Sequence, residues 1–184
     1  MNFTDILFIL LLLGGLALGF FQGTIRLLIA IVAFYVGIIL ASLYFTTVGL
    51  FFQRRFNSTL AVSQIMAFFI ILLIAFLLLS IAGFYTFRYA RMPASLDFID
   101  RIVGTLLGLL LGVLFLGIFA IVLKDLFVYQ DVAGSITFPI MRSFQGSVRS
   151  SLLRPIFSDQ ILPLIYQAVA PVLPRDASII FRFQ

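Results

Sequence analysis

Apolar residues of this chain are grouped into four long runs that contain no charged side chain. The runs cover residues 6–25, 27–52, 62–87 and 102–123. A helix of about 20 residues rises about 30 Å, the thickness of the hydrocarbon core of a bilayer. Alternating segments of roughly ten residues, the mark of a transmembrane β-barrel, do not occur. The pattern predicts an all-α, polytopic integral membrane protein with four transmembrane helices, which occupy a domain of residues 1–126.

The pattern changes after the fourth run, and no run in residues 127–184 is long enough to span a membrane. Met141, Phe144, Val148 and Leu152 fall on one face of a helix, while polar and basic side chains fall elsewhere. A helix of this kind lies in the plane of the membrane interface. We therefore expect a C-terminal amphipathic, interfacial tail, whose side and depth are left open.

Two series of glycines recur at intervals of four residues inside the predicted spans. They are Gly15, Gly19 and Gly23 in the first run and Gly104, Gly108 and Gly112 in the fourth. Residues four apart share one face of a helix, so each series forms a stripe along which another backbone can approach closely. The simplest interpretation is that the first helix packs on the fourth. The alternative is that one stripe lines an oligomer interface or a pore.

Charged residues cluster where the fourth run begins. Asp97 and Asp100 suit the positive end of a helix dipole and can serve in its capping, and Arg101 follows them. Four spans would place Arg26 on the same side of the membrane as this group. We therefore predict an interfacial ion pair between Arg26 and Asp100 that clamps the first helix to the fourth. Basic residues are balanced between the two sides, so they do not define the orientation.

The composition agrees with a membrane location. Hydrophobic residues make up 63% of the chain and charged residues 10%, and the mean hydropathy is +1.24. The first residues lack the features of a removable signal peptide. The net charge of +5 favours contact with anionic lipid headgroups. Nucleic acid is not an expected partner, because basic residues are not clustered with aromatic ones outside the spans.

The residue types that carry most enzyme and metal chemistry are missing. The chain has no cysteine, histidine or glutamate. Thiolate and imidazole ligands, histidine-assisted nucleophiles and paired glutamates therefore do not occur. Carboxylates do not lie well inside a span, where a proton relay would need one. We expect no catalytic residue, cofactor or metal site, and an intramembrane enzyme is the least favoured function.

Two blocks of the sequence resemble the colicin V production protein family, CvpA, of bacterial inner-membrane proteins. The first is the glycine series that begins at Gly15 and continues through Phe20 to Arg26. The second begins with Asp100 and Arg101 and continues through the glycine series of the fourth run. With the order and spacing of the spans and the polar tail, the resemblance covers roughly residues 3 to 160.

The resemblance implies a multi-pass protein of the bacterial cytoplasmic (inner) membrane that supports toxin production or export, or envelope homeostasis. The leading hypothesis is a non-enzymatic protein that acts by helix packing, by forming a homo-oligomer or by docking on a membrane protein partner. The alternative hypothesis is a small oligomeric channel with glycine-lined helices. Lipid is the one partner expected under both.

Overall fold

The computed structural model describes residues 2–56, 59–89 and 96–124. In the tail it also describes residues 146–148, 150, 151, 153, 156, 161, 163 and 167. This described part of the chain is helical and contains no strand. The fold class predicted from the hydrophobic pattern is therefore correct as all-α.

Three helices make up the described part of the membrane domain. They are α1 (Phe3–Phe56), α2 (Leu60–Thr86) and α3 (Asp97–Lys124). By length and composition, all three are able to cross a membrane. The second and third correspond to the runs at 62–87 and 102–123, although α3 begins five residues before its run. Asp97 and Asp100 consequently lie inside the first turn of α3.

Local capping explains why α2 begins and ends where it does. The Thr59 side chain accepts a hydrogen bond from the backbone N–H of Val62 (3.4 Å), which satisfies one of the free donors of the first turn. At the other end, the N–H of Phe87 donates to the carbonyl oxygen of Gly83 (2.9 Å). Between these caps the helix has no charged residue.

The first two predicted spans fall within one element, α1, which has 54 residues. A straight helix of that length would extend about 80 Å, more than twice the hydrocarbon thickness of a bilayer. The element is not straight, because Gly23 inside it has non-helical backbone angles. The prediction of four separate helices is therefore replaced by three helices, the first of which is divided at Gly23 into residues 3–22 and 24–56.

Residues 3–22 run antiparallel to α3. The ring of Phe8 lies 6.2 Å from that of Phe119, centroid to centroid. Farther along α1, Gly19 faces Gly104. Sequence numbers therefore fall along α3 as they rise along the first part of α1.

Residues 24–56 run parallel to α3. Thr24 is hydrogen-bonded to Asp100, and the ring centroids of Phe34 and Phe115 are 4.6 Å apart. Sequence numbers rise together in this pair of segments. The two parts of α1 therefore point in opposite directions, and the chain reverses at the break.

A cluster of three phenylalanines, Phe34, Phe76 and Phe115, joins the three helices. The ring centroid of Phe115 lies 4.8 Å from that of Phe76, and the Phe34 and Phe76 centroids are 6.2 Å apart. Each ring comes from a different helix, and the arrangement allows edge-to-face contacts. Because α2 and α3 meet at few places, α1 lies at the centre of the fold. The Phe76–Phe115 pair of this cluster is one place where α2 and α3 meet.

The outer surface of the helices is also apolar. Leu10, Leu78, Ile81 and Leu106 are each more than half exposed. An exposed apolar belt of this extent is unfavourable in water but is expected where the surroundings are acyl chains. The surface therefore agrees with the membrane location inferred from composition.

Part of the tail packs on the helices. Val148 is fully buried in a cluster that includes Phe8 and Leu116. This differs from the expectation that the apolar face of the tail lies in the interface. Met141 and Phe144 lie outside the described residues, as does most of the predicted tail. At Val148 the apolar face of the tail is covered by protein instead of lipid.

Candidate functional site

The reversal of the chain depends on the backbone of Gly23, where φ is 75° and ψ is 174°. It is the one glycine with positive φ in the described part of the chain. A residue with a Cβ is strained in this conformation, so the position favours glycine strongly. The second part of α1 begins at the next residue, and the two parts are joined without a connecting loop.

Asp100, in the first turn of α3, caps the second part of α1. Its Oδ1 accepts a hydrogen bond from the backbone N–H of Thr24 (2.8 Å). The Thr24 hydroxyl donates in return to the carbonyl oxygen of Asp100 (3.0 Å). A carboxylate at this place satisfies a free N–H and suits the positive end of the helix dipole. A cap of this type usually precedes its helix directly, whereas here it is supplied by another helix and ties α1 to α3.

Gly23 and Asp100 are also in steric contact. A Cβ at position 23 would collide with the carboxylate of Asp100. The break and its cap therefore form one unit, in which the missing side chain of one residue makes room for the carboxylate of the other.

The glycine seam, which we define as Gly15, Gly19, Gly104 and Gly108, is the contact of residues 3–22 with α3. A Cβ at Gly15 would lie 2.8 Å from the carbonyl oxygen of Gly108, and one at Gly104 would lie 2.5 Å from that of Gly19. Such separations are too short for a real Cβ, so the two backbones touch directly. Close carbonyl approaches of this kind suit weak Cα–H···O bonds and strong dispersion contacts. The structure thus brings the two glycine stripes together within one chain.

The seam loosens away from the break. A Cβ at Gly112 would find its nearest neighbour, Cδ2 of Leu12, at 3.7 Å, which is an ordinary van der Waals distance. Gly14 is adjacent to the seam in sequence but has no atom within 4 Å of its Cβ position. The requirement for glycine is therefore confined to particular positions, and Gly14 provides a natural control.

The predicted ion pair between Arg26 and Asp100 does not form. Arg26 is exposed, and the ion pair that the described residues contain joins Arg101 to Asp97 (3.0 Å). Asp100 is instead engaged by Thr24. The prediction placed the two residues at the same end of the helices, which is where they lie, but it did not consider the backbone N–H groups that the break exposes.

Arg101 connects the surface of this region to the first part of α1. Its guanidinium lies 5.4 Å from the ring centroid of Phe20 and pairs with Asp97. Both partners of the ion pair are about half exposed, and a pair of this kind contributes only about 0 to 1 kcal/mol to stability. Beside it is a small polar cavity of about 150 Å³ that also borders Gly23 and Asp100.

Sequence analysis missed a second polar contact, which we call the terminal clasp. Asp5 is almost fully buried. Its Oδ1 accepts a hydrogen bond from the Ser151 hydroxyl (2.6 Å) and one from the Leu153 N–H (3.2 Å). The Asn2 side chain donates to the carbonyl oxygen of Ser150 (2.8 Å). A carboxylate at the end of an apolar helix needs such partners once it is buried.

The described polar side chains of this region bond to backbone groups and to one another. Among the described residues, no group of three acidic, histidine or cysteine side chains is placed to hold a metal ion. Thr105, a hydroxyl within a predicted span, donates to the carbonyl oxygen of Arg101 in its own helix (2.7 Å). At the break, Asp100 caps the second part of α1, and in the seam the glycine backbones hold the first part against α3.

Comparison with known proteins gives one family match. The family model described as "Colicin V production protein" matches residues 4–161. Searches of curated proteins and of solved structures gave no significant match. The matched region includes α1 from residue 4, the seam and the capped break, and it includes Asp5 of the terminal clasp with its partners Ser151 and Leu153.

Proposed function

Because the chain belongs to the colicin V production protein family, we propose that it supports the production or export of a secreted peptide toxin, or envelope homeostasis, in the bacterial inner membrane. In this proposal it acts without catalysis. It serves as a rigid helical unit on which a membrane protein partner docks, or which associates with further copies of itself.

The proposal includes four crossings of the membrane. Residues 3–22 are 20 in number and would extend about 30 Å, and residues 24–56 would extend about 50 Å, so each part of α1 is long enough to cross the hydrocarbon core. Their opposite directions relative to α3 support a separate crossing for each part.

The single observation that carries the proposal is the closed glycine seam. Gly15 and Gly19 are in contact with Gly108 and Gly104 of the same chain. Both stripes are occupied within the monomer, so partners would meet the outer faces of the helices. A pore lined by these stripes would first require the seam to open, and for this reason we favour the docking function over the channel.

The test is complementation in the source bacterium after deletion of the gene. Toxin export and survival of envelope stress would be measured with wild-type protein, with Gly19→Ala and with Gly14→Ala. We expect Gly14→Ala to restore both phenotypes and Gly19→Ala to fail in at least one, because only the second adds a methyl group to the seam. Membrane abundance of each variant is measured by immunoblot.

Two results would contradict the proposal. One is that the deletion leaves toxin export and envelope survival unchanged. The other is that Gly19→Ala reaches normal abundance and restores both phenotypes fully. Steady conductance of the purified protein in planar bilayers would favour the channel in its place.

A further inference from the structure

An apolar groove of about 620 Å³ lies between the first part of α1, α2 and α3. Its wall includes Leu10, Gly14, Leu77 and Phe115. The groove exists because α2 and α3 meet at few places and because glycines of α1 contribute no side chain to fill the space. Nothing lies within 4 Å of the Cβ position of Gly14, so the groove is open there.

The groove is long and open to the outer surface. Along α1 it extends from Leu10 to Gln22, which is roughly 18 Å at 1.5 Å per residue. Leu18, Leu77 and Ile81 belong to its wall and are each about half exposed or more. In a membrane the surroundings of such an apolar surface are acyl chains.

The length suits one leaflet of a bilayer. Half of the hydrocarbon core is about 15 Å thick, close to the length of the groove. An acyl chain that enters from one interface would therefore fill the groove along its length.

One polar group in the groove has no partner. Ser80 lines the groove and is 5% exposed, and its hydroxyl makes no hydrogen bond with the described residues. The hydroxyls of Ser63, Thr86 and Thr105 bond to the carbonyl oxygen four residues earlier, which is the ordinary arrangement in an apolar helix. The hydroxyls of Thr4 and Ser42 are also buried without a partner among the described residues, but neither residue lines the groove. Of the three, Ser80 is the one beside the groove, where an acceptor on a bound molecule would meet it.

The polar groups lie at one end of the groove. Ser80 and Gln22 line that end. Arg26 is exposed and makes no ion pair within the described part of the chain. It precedes Ile29 by one turn, and Ile29 packs against Gly83, so Arg26 lies beside the same end. A cation at the interface attracts anionic headgroups.

We propose that the groove binds one acyl chain of an anionic glycerophospholipid. The acyl chain extends along the groove toward Leu10, its ester carbonyl accepts a hydrogen bond from Ser80, and Arg26 faces the phosphate beside Phe84. This site is independent of the proposed function, since it stands on the shape of the groove and on its polar end.

The absence of tryptophan from the chain allows a direct test with single-tryptophan reporters. Phe84→Trp places a fluorophore in the groove wall, and Leu78→Trp places one on the outer surface, since Leu78 is 63% exposed and not part of the wall. Each full-length variant is reconstituted in vesicles in which brominated phosphatidylglycerol or brominated phosphatidylcholine replaces part of the lipid. Quenching by the bromines then gives the relative affinity for each lipid at each place.

We expect the Phe84→Trp reporter to prefer phosphatidylglycerol by about fivefold, the effect of one well-placed arginine, and the Leu78→Trp reporter to show no preference. Arg26→Gln should remove the preference in the groove, whereas Arg55→Gln, at the opposite end of the second part of α1, should keep it. Gly14→Phe should fill the groove and abolish quenching at the Phe84→Trp reporter only.

Equal quenching by the two lipids at both reporters would overturn the proposal. So would an Arg26→Gln variant that retains the preference. Lack of quenching at the Phe84→Trp reporter in the otherwise unchanged protein would mean that protein covers the groove. The mass of the protein in nanodiscs would then identify a second copy of the chain.

Discussion

The two parts of α1 pack against α3 by opposite means. Residues 3–22 approach α3 through glycines, so that backbone touches backbone. Residues 24–56 pack through large side chains such as Phe34, which contacts Phe115 and Phe76 of the other two helices. The first interface is close and flat, whereas the second is built of interdigitated rings.

The difference teaches how a membrane helix pair is specified. Lipid tails are as apolar as the helices, so burial of apolar surface gives little drive for association, and contact geometry must supply it. Glycines allow two helix backbones to approach closely, and such a contact leaves no room for an added atom. Large side chains hold two helices together by complementary shape, and such a contact tolerates substitutions that conserve volume. In its contacts with α3, the helix α1 is therefore expected to be sensitive to substitution before Gly23 and tolerant after it.

The largest loss of stability is expected for the substitution Gly19→Leu in the glycine seam. A side chain at this position meets the backbone of Gly104 and Thr105, so the helices must separate and the folded state should lose about 3 kcal/mol or more. Unfolding by sodium dodecyl sulfate in mixed micelles measures the loss. The matched control, Gly14→Leu, should have a free energy of unfolding within about 0.5 kcal/mol of wild type. Equal losses of stability for the two variants would contradict the close contact of the helices at the seam.

Gly23→Ala tests the break between the two interfaces. Strain at positive φ costs about 1 to 3 kcal/mol, and the new methyl group also meets the Asp100 carboxylate. We expect a loss near the upper end of that range, measured by the same unfolding assay. A variant as stable as wild type would show that the reversal does not require this backbone conformation.

Asp100→Ala tests the cap that joins the interfaces. Loss of a capping side chain costs about 0.5 to 2 kcal/mol, and Asp100→Asn should recover part of it because an amide oxygen still accepts from Thr24. Asp97→Ala is the control, since its ion pair with Arg101 is half exposed. A loss as large for Asp97→Ala as for Asp100→Ala would contradict the assignment of the cap.

The smallest loss of stability is expected for a substitution in the phenylalanine cluster. Phe34→Leu keeps an apolar side chain of similar volume and should cost about 1 kcal/mol. Thermal unfolding, followed by loss of the monodisperse peak in gel filtration, is sufficient to rank it against the glycine variants. If Phe34→Leu lost more stability than Gly19→Leu, the glycine contact would not be the more sensitive of the two interfaces.

Much of the architecture could be predicted because the controlling signals are local. Charge-free runs identify apolar helices, and the four-residue glycine spacing indicates which helix faces can meet. The number of predicted spans between Arg26 and Asp100 is enough to place both residues on the same side of the membrane. These inferences need no knowledge of distant contacts.

The remaining features depend on backbone geometry or distant partners. The charge-free runs place the boundary between the first two spans at Arg26, whereas the backbone breaks at Gly23. Gly23 continues the spacing of Gly15 and Gly19, so the spacing does not mark it as the position of the break. The cap on Thr24 uses a backbone N–H, which an analysis of charged side chains does not consider. The partner of Asp5 is 146 residues away at Ser151, and a single sequence carries no sign of that contact.

The most direct test of the closed seam is a disulfide across it. The chain has no cysteine, so the pair Leu12→Cys with Gly112→Cys provides the only thiols. The Cα of Leu12 lies 4.0 Å from the Cβ position of Gly112, which suits a disulfide. Oxidation in native membranes should give an intramolecular bond, seen by mass spectrometry of the monomer, and Leu13→Cys with Gly112→Cys should not, because Leu13 is 58% exposed. Disulfide-linked dimers from the first pair, or its failure to oxidise, would contradict a seam closed within one chain.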